Sequence, residues 1–483
     1  MTTTKDARPE AVPTNPYGRR LWPELGLWAL GTLILFLNSG LWRPVWFDEF
    51  LHFAMGGMTL DYALKTVDYT TIEVNHGQTG VYMLLDWVLL QVFGASAIAL
   101  RLPSLIAAGL LLAAAVTFLR RRGFGYGWQY IVLLAFAGHT ALIWFAGEAR
   151  PYMPLAAASV AVLAYYQYDL ASRRRPWPLI LGIAGVCGGA LLHPYIVYVI
   201  ALLVPISIWV AIRDGRLTWS VRAVIRFANP VLLGAGTVLF LVIGQLTWMR
   251  RVLSFDYDPL ALMGNSWAHT IDRGVVDHFA GTNTSWPWVA GLALLTLIAL
   301  AVARFQCSRD ILPPLVLILI GLATSITVSS LSVLRTYWIL ERQWVAGIAV
   351  VAVGCTWFFA EVLKSARRSK SRALAVPAYV FLVLTASTAV FAMVAQAQVM
   401  NDQRVAYSQF VNETRTMDEL RPEQLNEDDA FIYAANVNIA RGGPVWTMYV
   451  DWYDNLSGMR PEFREKNPSW TGFLGDQRTR SDE

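Results

Sequence analysis

The chain has 483 residues, 55% of them hydrophobic and only 15% charged, with a mean hydropathy of +0.43. Soluble domains run close to a quarter charged, so this composition excludes an ordinary soluble protein and points to a polytopic membrane protein. The net charge of +5 is modest and no nucleic-acid partner is expected, while 20 Trp, 19 Tyr and 22 Phe suit aromatic belts at two water–lipid boundaries.

Lys5, Arg8, Arg19 and Arg20 precede a long apolar run that lacks a small-residue cleavage site, which predicts an uncleaved anchor. About 20 apolar residues cross a bilayer as a helix. Runs near that length fall at 24–41, 98–119, 128–146, 152–170, 179–193, 194–212, 227–248, 287–303, 311–330, 343–363 and 374–396, predicting an all-α protein of about eleven transmembrane helices. The cut between 193 and 194 is placed at His193-Pro194, where proline and a polar side chain suit a hairpin.

Residues 78–93 are apolar but short and carry Asp86. Counted as a span they would invert every later loop, so they are expected to lie along the outer surface as an interfacial helix, with Thr59–Val67 as a second one. After the last run, 397–483 is polar and holds 15 acidic residues. It is expected to form a small outer domain beyond a membrane domain of 1–396. Its predicted elements are a helix at Asp402–Leu420 and a strand at Ala430–Ala435, followed by an aromatic stretch at Trp446–Trp452. Cys187 and Cys355 fall in apolar runs and Cys307 in a short basic loop, so neither a disulfide framework nor zinc spacing is visible.

Lys and Arg decide which loops face the cytosol. With the N-terminus inside, Arg120–Arg122, Arg173–Arg175, the arginines of 213–226 and the basic run Lys364–Arg372 all fall inside. Asp48 then falls outside. The runs themselves are almost free of charge, whereas a transporter needs polar groups near the midplane. Ionisable residues collect instead in the outer loops, above all in Trp46-Phe47-Asp48-Glu49-Phe50-Leu51-His52-Phe53. The chemistry is therefore expected at the outer water–lipid boundary.

The order of three segments carries a resemblance. Asp48-Glu49 stands in the first outer loop, Asn75-His76-Gly77-Gln78-Thr79-Gly80-Val81-Tyr82 follows, and then comes the stretch from Phe93 to Ser104. With Gly147-Glu148-Ala149-Arg150-Pro151-Tyr152 and Glu341-Arg342-Gln343, the set resembles the GT-C superfamily of membrane glycosyltransferases. The nearest branch is that of bacterial relatives of the protein O-mannosyltransferases and the lipid A aminoarabinose transferase. The likeness is good over 40–200, looser beyond, and hardly reaches the tail. Prolines of the family's pattern are replaced here by Gly77-Gln78-Thr79-Gly80.

The resemblance implies transfer of a sugar from a polyprenyl-phosphate donor, with inversion, to a hydroxyl of a cell-envelope glycan, glycolipid or protein. The setting would be the extracytoplasmic face of a bacterial plasma membrane. A phosphate already leaves well, so the enzyme needs a base for the acceptor's proton and cations for the phosphate. The family's first-loop aspartate falls on Asp48 as base. Glu49 either orients the acceptor, helps hold a divalent cation such as Mg or Mn, or ties down its own loop. His76 is read as a donor contact, against a plain interfacial histidine. Arg342, and after it Arg335, Arg250, Arg251 and Arg273, are candidates for a phosphate clamp, since the guanidinium fork suits phosphate oxygens. Glu148 and Arg150 are read as a bracing ion pair, Arg101 as a membrane-edge anchor, and His139 and His193 as packing residues. Two other readings stand beside this one: a lipid-linked-sugar flippase or transporter, and a non-catalytic scaffold of the same fold.

Overall fold

A backbone that crosses lipid must satisfy its own polar groups, and every element among the described residues is a helix. The structure, a computed structural model, describes residues 22–41, 49, 52, 60–65, 80–94, 96–167, 182–193, 196–228, 308–335 and 344–414. In chain order the helices are α1 (Trp22–Asn38), α2 (Leu60–Lys65), α3 (Gly80–Phe93), α4 (Ala97–Arg121), α5 (Tyr126–Ala137), α6 (Thr140–Ala146) and α7 (Tyr152–Tyr165). A wide helical turn at Ala184–Gly188 leads into α8 (Gly189–Leu192), followed by α9 (Ile196–Arg213), α10 (Val221–Phe227), α11 (Ser308–Arg335), α12 (Val345–Ser369) and α13 (Arg372–Thr414).

α4 is the hub. Ser96 caps it by accepting the Ala99 N–H at 3.0 Å, and Arg120 and Arg121 occupy its last turn, where cations complement the helix dipole. It packs against α1, α3, α5 and α7. Lipid tails are as apolar as leucine, so contact between membrane helices depends on close van der Waals fit and favours small residues. α4 supplies Ala107, Ala108, Ala114 and Ala115 to the core, and α7 supplies Ala156, Ala157 and Ala164. α11 and α12 also approach closely: a Cβ on Gly347 would collide with the Gly321 carbonyl and Ser325 Oγ.

Among the described residues three helices are long and apolar enough to cross a membrane: Ala97–Arg121, Val345–Ser369 and the Ala375–Gln398 part of α13. Apart from Phe227 and Ala228, the expected runs 227–248 and 287–303 lie outside the described residues; each of the others overlaps a described helix. The run 128–146 is not one helix. It breaks at Gly138-His139, where His139 takes an extended conformation before α6 begins. The break at His193 falls where the sequence places it, with His193 extended between α8 and α9. α3 does not simply lie on a surface: it buries Tyr82, Met83, Asp86 and Leu90 while exposing Leu85, Val88 and Val92. Its 14 residues span only about 21 Å, short of a bilayer core. α13 runs through the expected boundary at 396 without interruption. The expected strand at Ala430–Ala435 and the aromatic stretch Trp446–Trp452 lie outside the described residues.

The bundle has two unlike ends. Residues 39–41, 49, 52, the start of α4 and the 147–151 turn meet at one of them, through the hydrogen bonds given below. The opposite end carries ion pairs from Asp214 to Arg122 and Arg216 and from Asp310 to Arg213 and Arg368. There the Arg122 guanidinium lies 4.5 Å over the Trp357 ring.

Candidate functional site

At the first end two charged networks converge, both buried. In one, Glu49 Oε1 accepts from Arg101 Nε at 2.8 Å and Oε2 from Arg101 Nη2 at 2.6 Å. Oε1 also accepts the Ala149 backbone N–H at 2.9 Å. Arg101 Nη1 donates to the carbonyls of Leu41 at 2.9 Å and Gly40 at 3.3 Å. Glu49 and Arg101 are both 0% exposed. Only the planar five-donor fork of arginine can serve a carboxylate and two carbonyls at once, and a buried pair tolerates desolvation only when so engaged. One guanidinium thus joins the end of α1, the first loop and the start of α4, and through Glu49 it reaches the 147–151 turn.

That turn comes close because of Gly147, at which any Cβ would collide with the Ser39 carbonyl just beyond α1. Only glycine lets the two backbones meet.

In the second network His52 Nδ1 lies 2.6 Å from Asp86 Oδ2, and His52 Nε2 lies 3.3 Å from Arg150 Nη1. A guanidinium can only donate, so Nε2 is the acceptor and Nδ1 carries the proton it gives to Asp86. Ser104 Oγ donates to the Arg150 carbonyl at 3.0 Å, which leaves the Tyr82 hydroxyl to donate to Ser104 at 2.9 Å. The Tyr82 ring meets His52 edge-on at 5.3 Å. Arg150 stands 5.9 Å over Tyr152, whose ring lies 5.3 Å from His193. Burial, and then the charge of Glu49, pushes the Asp86 carboxyl well above its ordinary pKa, with Arg150 opposing; Asp86 Oδ1 has no hydrogen-bond partner among the described residues. Burial and the neighbouring Asp86 likewise raise the Tyr82 hydroxyl.

Of the residues expected from sequence, the structure brings Glu49, Glu148 and Arg150 together, all buried. The Arg150 N–H donates to the Glu148 carbonyl at 2.8 Å, so the two share one tight turn. Arg335 is the last residue of α11. Asp48, His76, Arg250, Arg251, Arg273 and Arg342 lie outside the described residues. Arg101 is a correction: it is no membrane-edge anchor but the buried counter-ion of Glu49. Nothing local in the sequence links His52 with Asp86, which lie 34 positions apart. The signal lies in Asp86 itself, the one charge in a 14-residue apolar helix, which once buried requires a partner. Both Glu49 oxygens face a guanidinium, so a divalent cation at this loop would need ligands other than Glu49 while that pair stands.

The buried polar cluster thus gathers side chains from four parts of the chain at one end of the bundle. No family model matches the chain, and no curated protein matches it either. Among solved structures it is similar to ArnT from Cupriavidus metallidurans bound to undecaprenyl phosphate, at 14% identity and a TM-score of 0.48, over 86% of this chain and 85% of that one. It is also similar to the Archaeoglobus fulgidus oligosaccharyltransferase tethered by a disulfide to an acceptor peptide containing the NVT sequon. There the identity is 13% and the TM-score 0.42, over 86% of this chain and 60% of that chain.

Proposed function

We propose that the chain is an inverting glycosyltransferase of a bacterial plasma membrane. It moves a sugar from a polyprenyl-phosphate donor to a hydroxyl of a cell-envelope glycan, glycolipid or protein at the extracytoplasmic face. The observation that carries this reading is the double fastening of the loop that holds Asp48. Glu49, the next residue, is tied to Arg101 and Ala149, and His52 is tied to Asp86 and Arg150. A loop that only joined two helices would not require two buried charged networks beneath it, each costly to desolvate. A reacting group, by contrast, needs its support fixed to within a fraction of an ångström.

In this reading Asp48 takes the proton of the acceptor hydroxyl as its oxygen attacks the anomeric carbon. The bond from that carbon to the phosphate oxygen breaks on the opposite face, which inverts the centre. Arginines of the later loops, Arg342 first and then Arg335, Arg250, Arg251 and Arg273, receive the charge that develops on the leaving phosphate, and His76 contacts the donor. Glu49, Glu148 and Arg150 position the loop and the turn.

Asp48→Asn tests the reading. It should leave insertion and melting unchanged while transfer from a polyprenyl-phosphate sugar in membrane vesicles falls by at least a hundredfold. Turnover near the wild-type rate would remove Asp48 as base. Mass comparison of envelope glycans with and without the gene then identifies the sugar.

A further inference from the structure

At the opposite end of the bundle the chain leaves α9 through residues 214–220 and enters the seven-residue helix α10. Ser220 caps this helix by accepting the Ala223 N–H. Side chains four apart share a helix face, and α10 has three distinct faces. Ala223, Val224 and Phe227 pack inward, Phe227 against the Tyr166 ring at 4.9 Å. Val221 and Ile225 form an outward apolar stripe, 77% and 52% exposed, and Trp219 before them is 81% exposed. Arg222 and Arg226 form a third stripe beside the apolar one. Both are exposed, and neither has a hydrogen-bond or ion-pair partner among the described residues.

The described acids at this end are already engaged: Asp214 with Arg122 and Arg216, Asp310 with Arg213 and Arg368, Glu361 with Lys364. Arg222 and Arg226 therefore add positive charge that nothing described offsets. An exposed apolar stripe running beside an exposed basic one is the arrangement of a helix lying in the plane of a lipid interface. The apolar stripe and Trp219 match acyl chain and carbonyl depth, where tryptophan is favoured. The guanidinium forks match phosphate oxygens.

We infer that residues 217–228 form a docking site for anionic phospholipid, with Arg222 and Arg226 holding the headgroup phosphate and Trp219, Val221 and Ile225 against its acyl chains. Charge complementarity sets the lipid class: a zwitterionic headgroup presents the same phosphate with its charge cancelled. The site lies at the end of the bundle away from the Glu49–Arg101 cluster and stands whether or not the transfer reaction does.

The test titrates phosphatidylglycerol, or phosphatidylcholine of the same chains, into the full-length protein in detergent and counts bound lipid by native mass spectrometry. The wild type should prefer phosphatidylglycerol. Arg222→Gln with Arg226→Gln should weaken that lipid by roughly fivefold per arginine while sparing phosphatidylcholine. Arg222→Lys with Arg226→Lys, which keeps the charge, should retain most of the preference. Excess inorganic phosphate should not displace the lipid, because it cannot use the apolar stripe. An unchanged phosphatidylglycerol affinity in the glutamine pair, no preference in the wild type, or displacement by phosphate alone would each overturn the assignment.

Discussion

Arg101→Ala is the sharpest test of how the polar end of this bundle is held together. Arg101 is 0% exposed and places two N–H groups on Glu49, at 2.8 and 2.6 Å, and a third donor on the carbonyls of Leu41 and Gly40. Alanine leaves the Glu49 charge buried without its counter-ion and strips two buried carbonyls of a donor. Removing one partner of a buried pair costs about 3–5 kcal/mol, whereas an exposed arginine such as Arg372 should cost less than about 0.5 kcal/mol. Arg101→Met with Glu49→Leu removes both charges at similar volume, and such replacements are often neutral or better. The double variant should therefore recover most of the loss. Arg101→Lys should fall between, since an ammonium cannot reproduce the bidentate fork. The assay is unfolding of the full chain in detergent micelles, followed by the circular dichroism of its helices. If Arg101→Ala unfolds within about 0.5 kcal/mol of wild type, or the double variant is as damaged as the single one, the charge pair does not hold this end together.

Gly147→Ala should be worse than its size suggests, because its Cβ meets the Ser39 carbonyl and drives the 147–151 turn off the end of α1. A loss of about 2 kcal/mol or more is expected in the same unfolding assay, and a melting point equal to wild type would contradict the close approach. Asp86 gives a pH signature. Burial, then Glu49, raises its pKa in the folded chain. The stability that comes from its protonated form is thus fully present below the ordinary carboxylate pKa and is lost as pH rises through the folded value. Asp86→Asn stays neutral throughout, so its stability relative to wild type should improve as pH rises from about 4 to about 8. A gap that stays flat over that range would refute the raised pKa. His52→Gln removes one of the two fastenings of the segment that bears Asp48, so the transfer rate should fall further than donor affinity does. An equal fall in both would point to lost donor contacts instead.

Much of the fold is legible in apolar run length, since the physics that demands internal hydrogen bonds in lipid also writes long charge-free segments into the chain. α4 and α12 are found that way, and so is the break at His193, where a proline follows. The break at His139 is not, because the residues around it are apolar enough to continue a helix and only tertiary packing decides otherwise. The polar cluster is legible in its ingredients but not its pairings. Glu49 and Arg101 are 52 positions apart, and His52 and Asp86 are 34 apart. No local pattern links residues at such separations. What a sequence does record is the anomaly, a charge set within an apolar stretch, such as Asp86 or Arg101. Read strictly, each of these demands a buried partner of opposite sign or matching hydrogen-bond sense.

The 43 residues of α13 amount to roughly 64 Å of continuous helix, about twice the thickness of a hydrocarbon core. Its apolar part is used up by Gln398, so the sixteen residues from there to Thr414 carry the chain about 24 Å farther along the same axis. α13 begins beside the basic end of α12, so this extension leaves from the end where Glu49 and Asp86 are buried. It works as a mast, holding Thr414 about four helical turns beyond the end of the helix's apolar part.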